Sequence, residues 1–143
     1  MPIDWEDVYK DDEALTPEAR AKVEFAYRVN ALILDEMAKK VTAAIGPDRF
    51  AVLLAPTKAE AGLQPEVPSG NENMVVERLL ADLARLEITA IDGREAGIVQ
   101  EDFWRHDGHW RASGNEKTAA LLTRFFADRM SVGQALETAG SAQ

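Results

Sequence analysis

The run Phe50-Ala51-Val52-Leu53-Leu54-Ala55 is apolar at every position and is cut off by Pro56. Its length, and its place between two helical patterns, predict a strand buried on both faces, the environment of a parallel sheet. A parallel strand needs a crossover to reach its neighbour, so this run constrains what precedes and follows it. Upstream, Thr16 as cap, Pro17 at the first helical position and Glu18 in the first turn open a helix. Val23, Ala26, Asn30, Ile33, Met37, Val41 and Ile45 then recur at three- and four-residue steps, widened by Leu34 and Ala38. Gly46-Pro47 stops that helix, because glycine suits a C-terminal cap and proline cannot continue the ladder.

Downstream, residues 56–70 form a Pro- and Gly-rich loop, of the kind that emerges where parallel sheets bind ligands. Ser69 with Glu72 matches a capping box, predicting a second helix from Ser69 or Asn71 with Val76, Leu79, Leu80, Leu83 and Leu86 inward. Ile88-Thr89-Ala90-Ile91 is a second short strand, closed by the turn pair Asp92-Gly93. A second capping-box pattern, Ser113 and Glu116, opens a last helix with Leu121, Leu122, Phe125 and Phe126 on its apolar face.

The order helix, strand, loop, helix, strand, loop, helix predicts an α/β protein with right-handed crossovers and a parallel sheet covered on both faces. With only two clear strands, the pattern reads as the second half of a doubly wound domain. The expected organisation is an acidic lead-in over 1–15, an α/β part over 16–130 and a flexible tail over 131–143. Trp5 and Tyr9 are the anchors of the lead-in.

Composition excludes several classes. A net charge of −9 over 143 residues argues against nucleic acid, whose phosphates need clustered Lys and Arg. The absence of cysteine removes disulfides, thiolate nucleophiles and Cys-based metal sites, and suits any compartment. No apolar run approaches the roughly 20 residues of a spanning helix. The first residues have neither the basic start nor the apolar core of a signal peptide. The chain reads as soluble, with a membrane span excluded and an extracytoplasmic parent protein left open.

Both histidines fall in the segment Phe103-Trp104-Arg105-His106-Asp107-Gly108-His109-Trp110-Arg111. Asp107 can accept a hydrogen bond from one ring nitrogen of His109, fixing its tautomer and leaving the other nitrogen to take a proton from a hydroxyl. Gly108 allows a tight bend between them, and Trp110 can pack beneath the loop. The alternative is that Asp107-Gly108 is simply a turn, with His109 at the surface. A third reading, His106 and His109 with Asp102 or Asp107 as ligands of a divalent metal, lacks a well-placed third ligand.

The block Asp107-Gly108-His109-Trp110-Arg111-Ala112-Ser113-Gly114-Asn115, followed by Ala119, Leu121 and Leu122, resembles the last conserved block of the SGNH (GDSL-type) hydrolases. Phe50–Ala55 with Pro56-Thr57-Lys58 looks like the penultimate strand of that fold, and Ile88–Asp92 like the last. The resemblance implies a three-layer α/β/α, flavodoxin-like parallel-sheet fold, represented here by its C-terminal half. It implies catalytic roles for Asp107, the orienting acid, and His109, the general base, and neither a cofactor nor a metal.

Other family features are absent. No Gly-Asp-Ser block and no Gly-x-Asn-Asp block occur, and Arg111 stands where the family usually has Asn. Of the four serines, Ser113 reads as a helix cap, Ser69 as a cap or loop residue, and Ser131 and Ser141 as tail. The expectation is therefore the C-terminal part of an ester hydrolase, inactive alone for want of its nucleophile. In the complete enzyme the substrate would be an acyl ester, such as an O-acetylated sugar or a lipid. The alternative is a non-catalytic interaction or assembly module derived from that fold. Half a sheet leaves edges and apolar helix faces bare, so the expected partner is the N-terminal half or a second copy.

Overall fold

A computed structural model describes residues 3–140, with side chains through residue 129; Ser141 and the side chain of Ser131 lie outside the described residues. The chain divides into two compact units, Met1–Asp92 and Gly93–Gln143.

The first unit is built on α1 (Pro17–Ile45), β1 (Ala51–Leu54), α2 (Met74–Arg85) and β2 (Thr89–Asp92). α1 begins as its sequence predicts: Thr16 Oγ1 accepts from the Ala19 N–H at 3.2 Å, and Pro17 occupies the first turn. Gly46 ends it at φ 95°, a left-handed conformation that favours glycine, and donates its N–H to the Thr42 carbonyl at 3.0 Å. β1 and β2 pair in parallel, Ala51 opposite Thr89 through Leu54 opposite Asp92. This is the only sheet among the described residues, so β1 is half-buried along its length rather than covered on both faces. A mixed helix–strand unit with a parallel pair is the coarse architecture expected.

α2 starts later than its capping box suggests. Residues 68–74 turn twice first, with Asn71 N–H bonded to the Pro68 carbonyl and Met74 N–H to the Asn71 carbonyl. The physical reason is a long-range partner: the Asn71 side-chain amide donates to the Tyr9 carbonyl at 2.9 Å, and Glu72 accepts from the Gly70 N–H. The helix cap is Asn73. Val76 and Leu83 are its buried residues, with Leu79, Leu80 and Leu86 half-buried beside them. Its end is a Schellman turn, with Ile88 N–H to the Leu83 carbonyl at 2.9 Å and Glu87 N–H to the Ala84 carbonyl at 3.1 Å. Glu87 accordingly sits at φ 57°. That turn delivers the chain directly into β2.

The lead-in is structured. Two short 3₁₀ turns, Trp5–Tyr9 and Asp12–Ala14, carry no hydrophobic period for sequence to reveal. Tyr9 is buried with Ala59 and Val67 of the loop after β1, and Leu15 is buried with Val23 and Tyr27 of α1. Trp5 stays largely exposed, edge-on to Tyr9. Arg78 of α2 forks onto Glu24 of α1 through two 2.7 Å bonds and lies 4.1 Å over the Tyr27 ring.

This packing engages only the first part of α1. Farther along, Leu32, Ile33 and Ile45 are 62, 52 and 65 % exposed, and so is Phe25 at 67 %. Of the distal part of the predicted stripe, Ile33, Met37 and Ile45 stay exposed, whereas Leu34, Ala38 and Val41 are half-buried and Ala38 faces Leu86 and Ile88 across a shallow cavity.

The second unit has turns at Gly93–Ala96 and Gln100–Asp102, an extended loop, and α3 (Ala112–Gly140). α3 carries helical backbone through residues 131–140, where the composition reads as tail. Among the described residues no helix is long and apolar enough to cross a membrane.

Leu83, at 1 % exposure, is the most completely enclosed large side chain of the first unit. Leu83→Ala should lower the unfolding free energy by about 2–5 kcal/mol, because the cavity adds to the lost transfer energy. Urea denaturation followed by far-ultraviolet circular dichroism measures it; a loss below about 1 kcal/mol would mean that α2 is not held by this face.

Candidate functional site

The histidine segment is a hairpin-like loop that leaves a buried aspartate and returns to it. Phe103 and Trp110 form an isolated antiparallel bridge. The Trp104 N–H donates to the His109 carbonyl at 3.0 Å, and the Arg111 N–H donates to the Asp102 carbonyl at 2.7 Å. Arg105 to Gly108 make the exposed tip. Phe103 is buried, whereas the Trp104 ring is half-exposed with the Arg111 guanidinium 5.2 Å from its centroid. That separation is within cation–π range.

At the tip the two predicted residues do come together. Asp107 Oδ1 accepts the His109 main-chain N–H at 2.9 Å and stands 3.4 Å from His109 Nδ1. The first contact is the turn that an aspartate makes with the residue two places on. The second is longer than a well-formed N–H···O bond of about 2.7–3.2 Å, yet brings the carboxylate to the ring's Nδ1 side. The side chains are 87 % and 53 % exposed for His109 and Asp107. Water screens such a pair, so its contribution to stability is small. The turn and the approach of carboxylate to ring thus coexist in one geometry. Gly108 has open space where a Cβ would stand and no left-handed φ, so the bend does not require glycine there.

The loop is fixed by Asp102, 2 % exposed. Its Oδ2 accepts from Lys117 Nζ of α3 at 2.6 Å and from the Val99 N–H at 2.9 Å. The Ser113 hydroxyl is a further hydrogen-bond partner of this carboxylate. Lys117 Nζ also donates to the Gly97 carbonyl at 3.0 Å. Lys117 first, then Ser113 and the Val99 N–H, hold the Asp102 carboxyl down at about 2.

These bonds correct one expectation and bear on a rival reading. α3 begins at Ala112, so Ser113 lies inside the first turn and partners Asp102; the Ser113–Glu116 capping box is not formed. The Asn115 N–H to Arg111 carbonyl bond, 3.2 Å, places Arg111 at the cap instead. Asp102 is also committed to a lysine, which removes it from the metal-ligand reading. Among the described residues no group of three histidine or acidic side chains is placed to hold a metal ion. Lys117 is the residue that sequence spacing missed, since its partner lies 15 positions away in an irregular segment.

Trp110 packs on the start of α3 at Gly114. A Cβ built on Gly114 would stand 3.0 Å from Trp110 Cβ and 3.2 Å from the Asp102 carbonyl oxygen. That carbonyl is held by Arg111 and has little freedom to withdraw.

Gly114→Ala should therefore destabilise the second unit, the steric cost of about 1–3 kcal/mol outweighing a helix-propensity gain of about 1 kcal/mol. Thermal unfolding followed by tryptophan emission in a Trp5→Phe background tests this; an unchanged or raised midpoint would show that Trp110 moves aside. A second expectation concerns acid. A carboxyl depressed in the folded state contributes stability at all pH values above its ordinary 3.8, and loses it as pH falls to about 2. The same emission should be flat from neutrality down to the ordinary aspartate range and change only below it. A transition completed well above that range would mean that Asp102 is not paired in solution.

No family model, no curated protein and no solved structure matches this chain.

Proposed function

We propose that this chain carries the acid–base half of an SGNH (GDSL-type) carboxylic-ester hydrolase. Asp107 orients His109 through Nδ1, and His109 Nε2 accepts the proton of a hydroxyl nucleophile as that oxygen attacks the acyl carbonyl. The proton then passes from Nε2 to the departing alkoxide, leaving an acyl group for water to release. In this reading the nucleophile belongs to another segment or chain, since the Gly-Asp-Ser block of the resembled family does not occur here and Ser113 is tied to Asp102. The substrate is an acyl ester, of a sugar or a lipid. In the same reading, β1, β2 and the helices are the C-terminal half of a three-layer α/β/α flavodoxin-like fold, and the N-terminal half is the natural partner.

The observation that carries the reading is the position of Asp107 Oδ1, bonded to the His109 main chain and 3.4 Å from its Nδ1. A ring so placed has its Nδ1 side occupied while the side chain as a whole stays open to solvent. The element order and the parallel pairing of β1 with β2 agree with the family's C-terminal half. The second reading, an interaction module without catalysis, is favoured by the bare apolar positions of α1. Such a face suits the missing half-domain or a second copy.

Nitrogen NMR of the neutral imidazoles tests the pair directly. His109 should carry its proton on Nδ1, and Asp107→Asn should return it to the Nε2–H form that a free imidazole prefers. An Nε2–H tautomer in the unaltered chain would overturn the acid–base assignment. With p-nitrophenyl acetate the chain alone should give no burst and no turnover above free imidazole. A burst lost on Ser69→Ala or Ser113→Ala would place the nucleophile within the chain.

A further inference from the structure

We infer that Asp102 and Lys117 are positioning residues for the Asp107–His109 pair, acting as a clamp on a buried carboxylate that sets the backbone on which His109 is presented. The inference rests on the acid–base reading of that pair and adds the device that holds it.

The connection can be traced bond by bond. The Asp102 side chain gathers Val99, Ser113 and Lys117, and Lys117 reaches on to the Gly97 carbonyl. Segments before and after the loop are thereby tied to one carboxylate and to α3. The Asp102 main-chain carbonyl receives the Arg111 N–H, fixing the returning strand two residues after His109. One residue beyond Asp102, Phe103 bridges Trp110, and the Trp104 N–H holds the His109 carbonyl. His109 is thus suspended between two main-chain bonds, both of which start from the clamped stretch 102–104. The tip residues supply no such restraint: among them the Asp107 contacts with His109 are local.

Energetics point the same way. The pair is half-buried, with the Lys117 side chain 38 % exposed against 3 % for Asp102, and such a pair is poor evidence for stability, because water screens the exposed partner. Its distinctive effect is register: an ammonium and a carboxylate, each with further fixed partners, accept one arrangement of the strands around them. The register chosen here is the one that places Asp107 and His109 at the end of the loop.

The test compares the unaltered chain with Lys117→Met, with Asp102→Asn plus Lys117→Met, and with Lys117→Arg. Asparagine keeps an oxygen for the Val99 N–H while the charges are removed together. Hydrogen exchange at the Trp104 and Arg111 amides and the His109 tautomer are read by NMR, beside a thermal melt. For a clamp, both charge-removing variants stay folded, their two amides exchange roughly tenfold faster or more, and the Nδ1–H preference of His109 is lost. Lys117→Arg retains both properties. A folded double variant with unchanged exchange and tautomer overturns the inference. So does a double variant in which the whole unit unfolds, since the pair would then serve the fold and not the loop. If the unaltered chain shows no Asp107-dependent tautomer, the acid–base reading fails separately, and amide exchange alone decides whether the clamp exists.

Discussion

A carboxylate removed from water must find enough donors to replace its hydration, and Asp102 meets that demand with a lysine, a hydroxyl and a main-chain N–H. Two of the donors, Ser113 and Lys117, stand one turn apart on α3, and the third is the Val99 N–H that precedes Asp102. Satisfying one side chain therefore brings the turn at Val99 and two successive turns of α3, at Ser113 and Lys117, to a common point. The loop between Phe103 and Trp110 inherits its frame from this requirement. Gly114 follows from it too, because the Asp102 carbonyl and Trp110 occupy the space that a larger residue would take.

The first unit obeys a different constraint. Two parallel strands cannot enclose themselves, so β1 remains half-buried and the packing relies on α2, the start of α1 and the 3₁₀ turns near Tyr9. α1 is 29 residues long, far beyond what those partners cover. Leu32, Ile33, Met37 and Ile45 accordingly keep about half or more of their surface in contact with solvent.

What the sequence made legible was local. Thr16, Pro17 and Gly46 act within a turn of where they stand, so both ends of α1 could be read from spacing. The two strands were legible because a continuous apolar run between helices has few other uses. What failed depended on distant partners. Asn71 is drawn away from helix capping by the Tyr9 carbonyl, and Ser113 by Asp102, and neither partner is visible in a four-residue pattern. The 3₁₀ turns of the lead-in have no period to detect. At the site, the adjacency of Asp107 and His109 was legible because only Gly108 separates them; the Lys117 anchor was not, because loop closure brings it there.

One oxygen atom of Asp107 serves the His109 backbone and faces its ring. Loop curvature and imidazole heading therefore share one anchoring atom, and a tip that opens removes the carboxylate from both. A partner that pressed on this tip would thus change the surroundings of the imidazole without touching the ring itself.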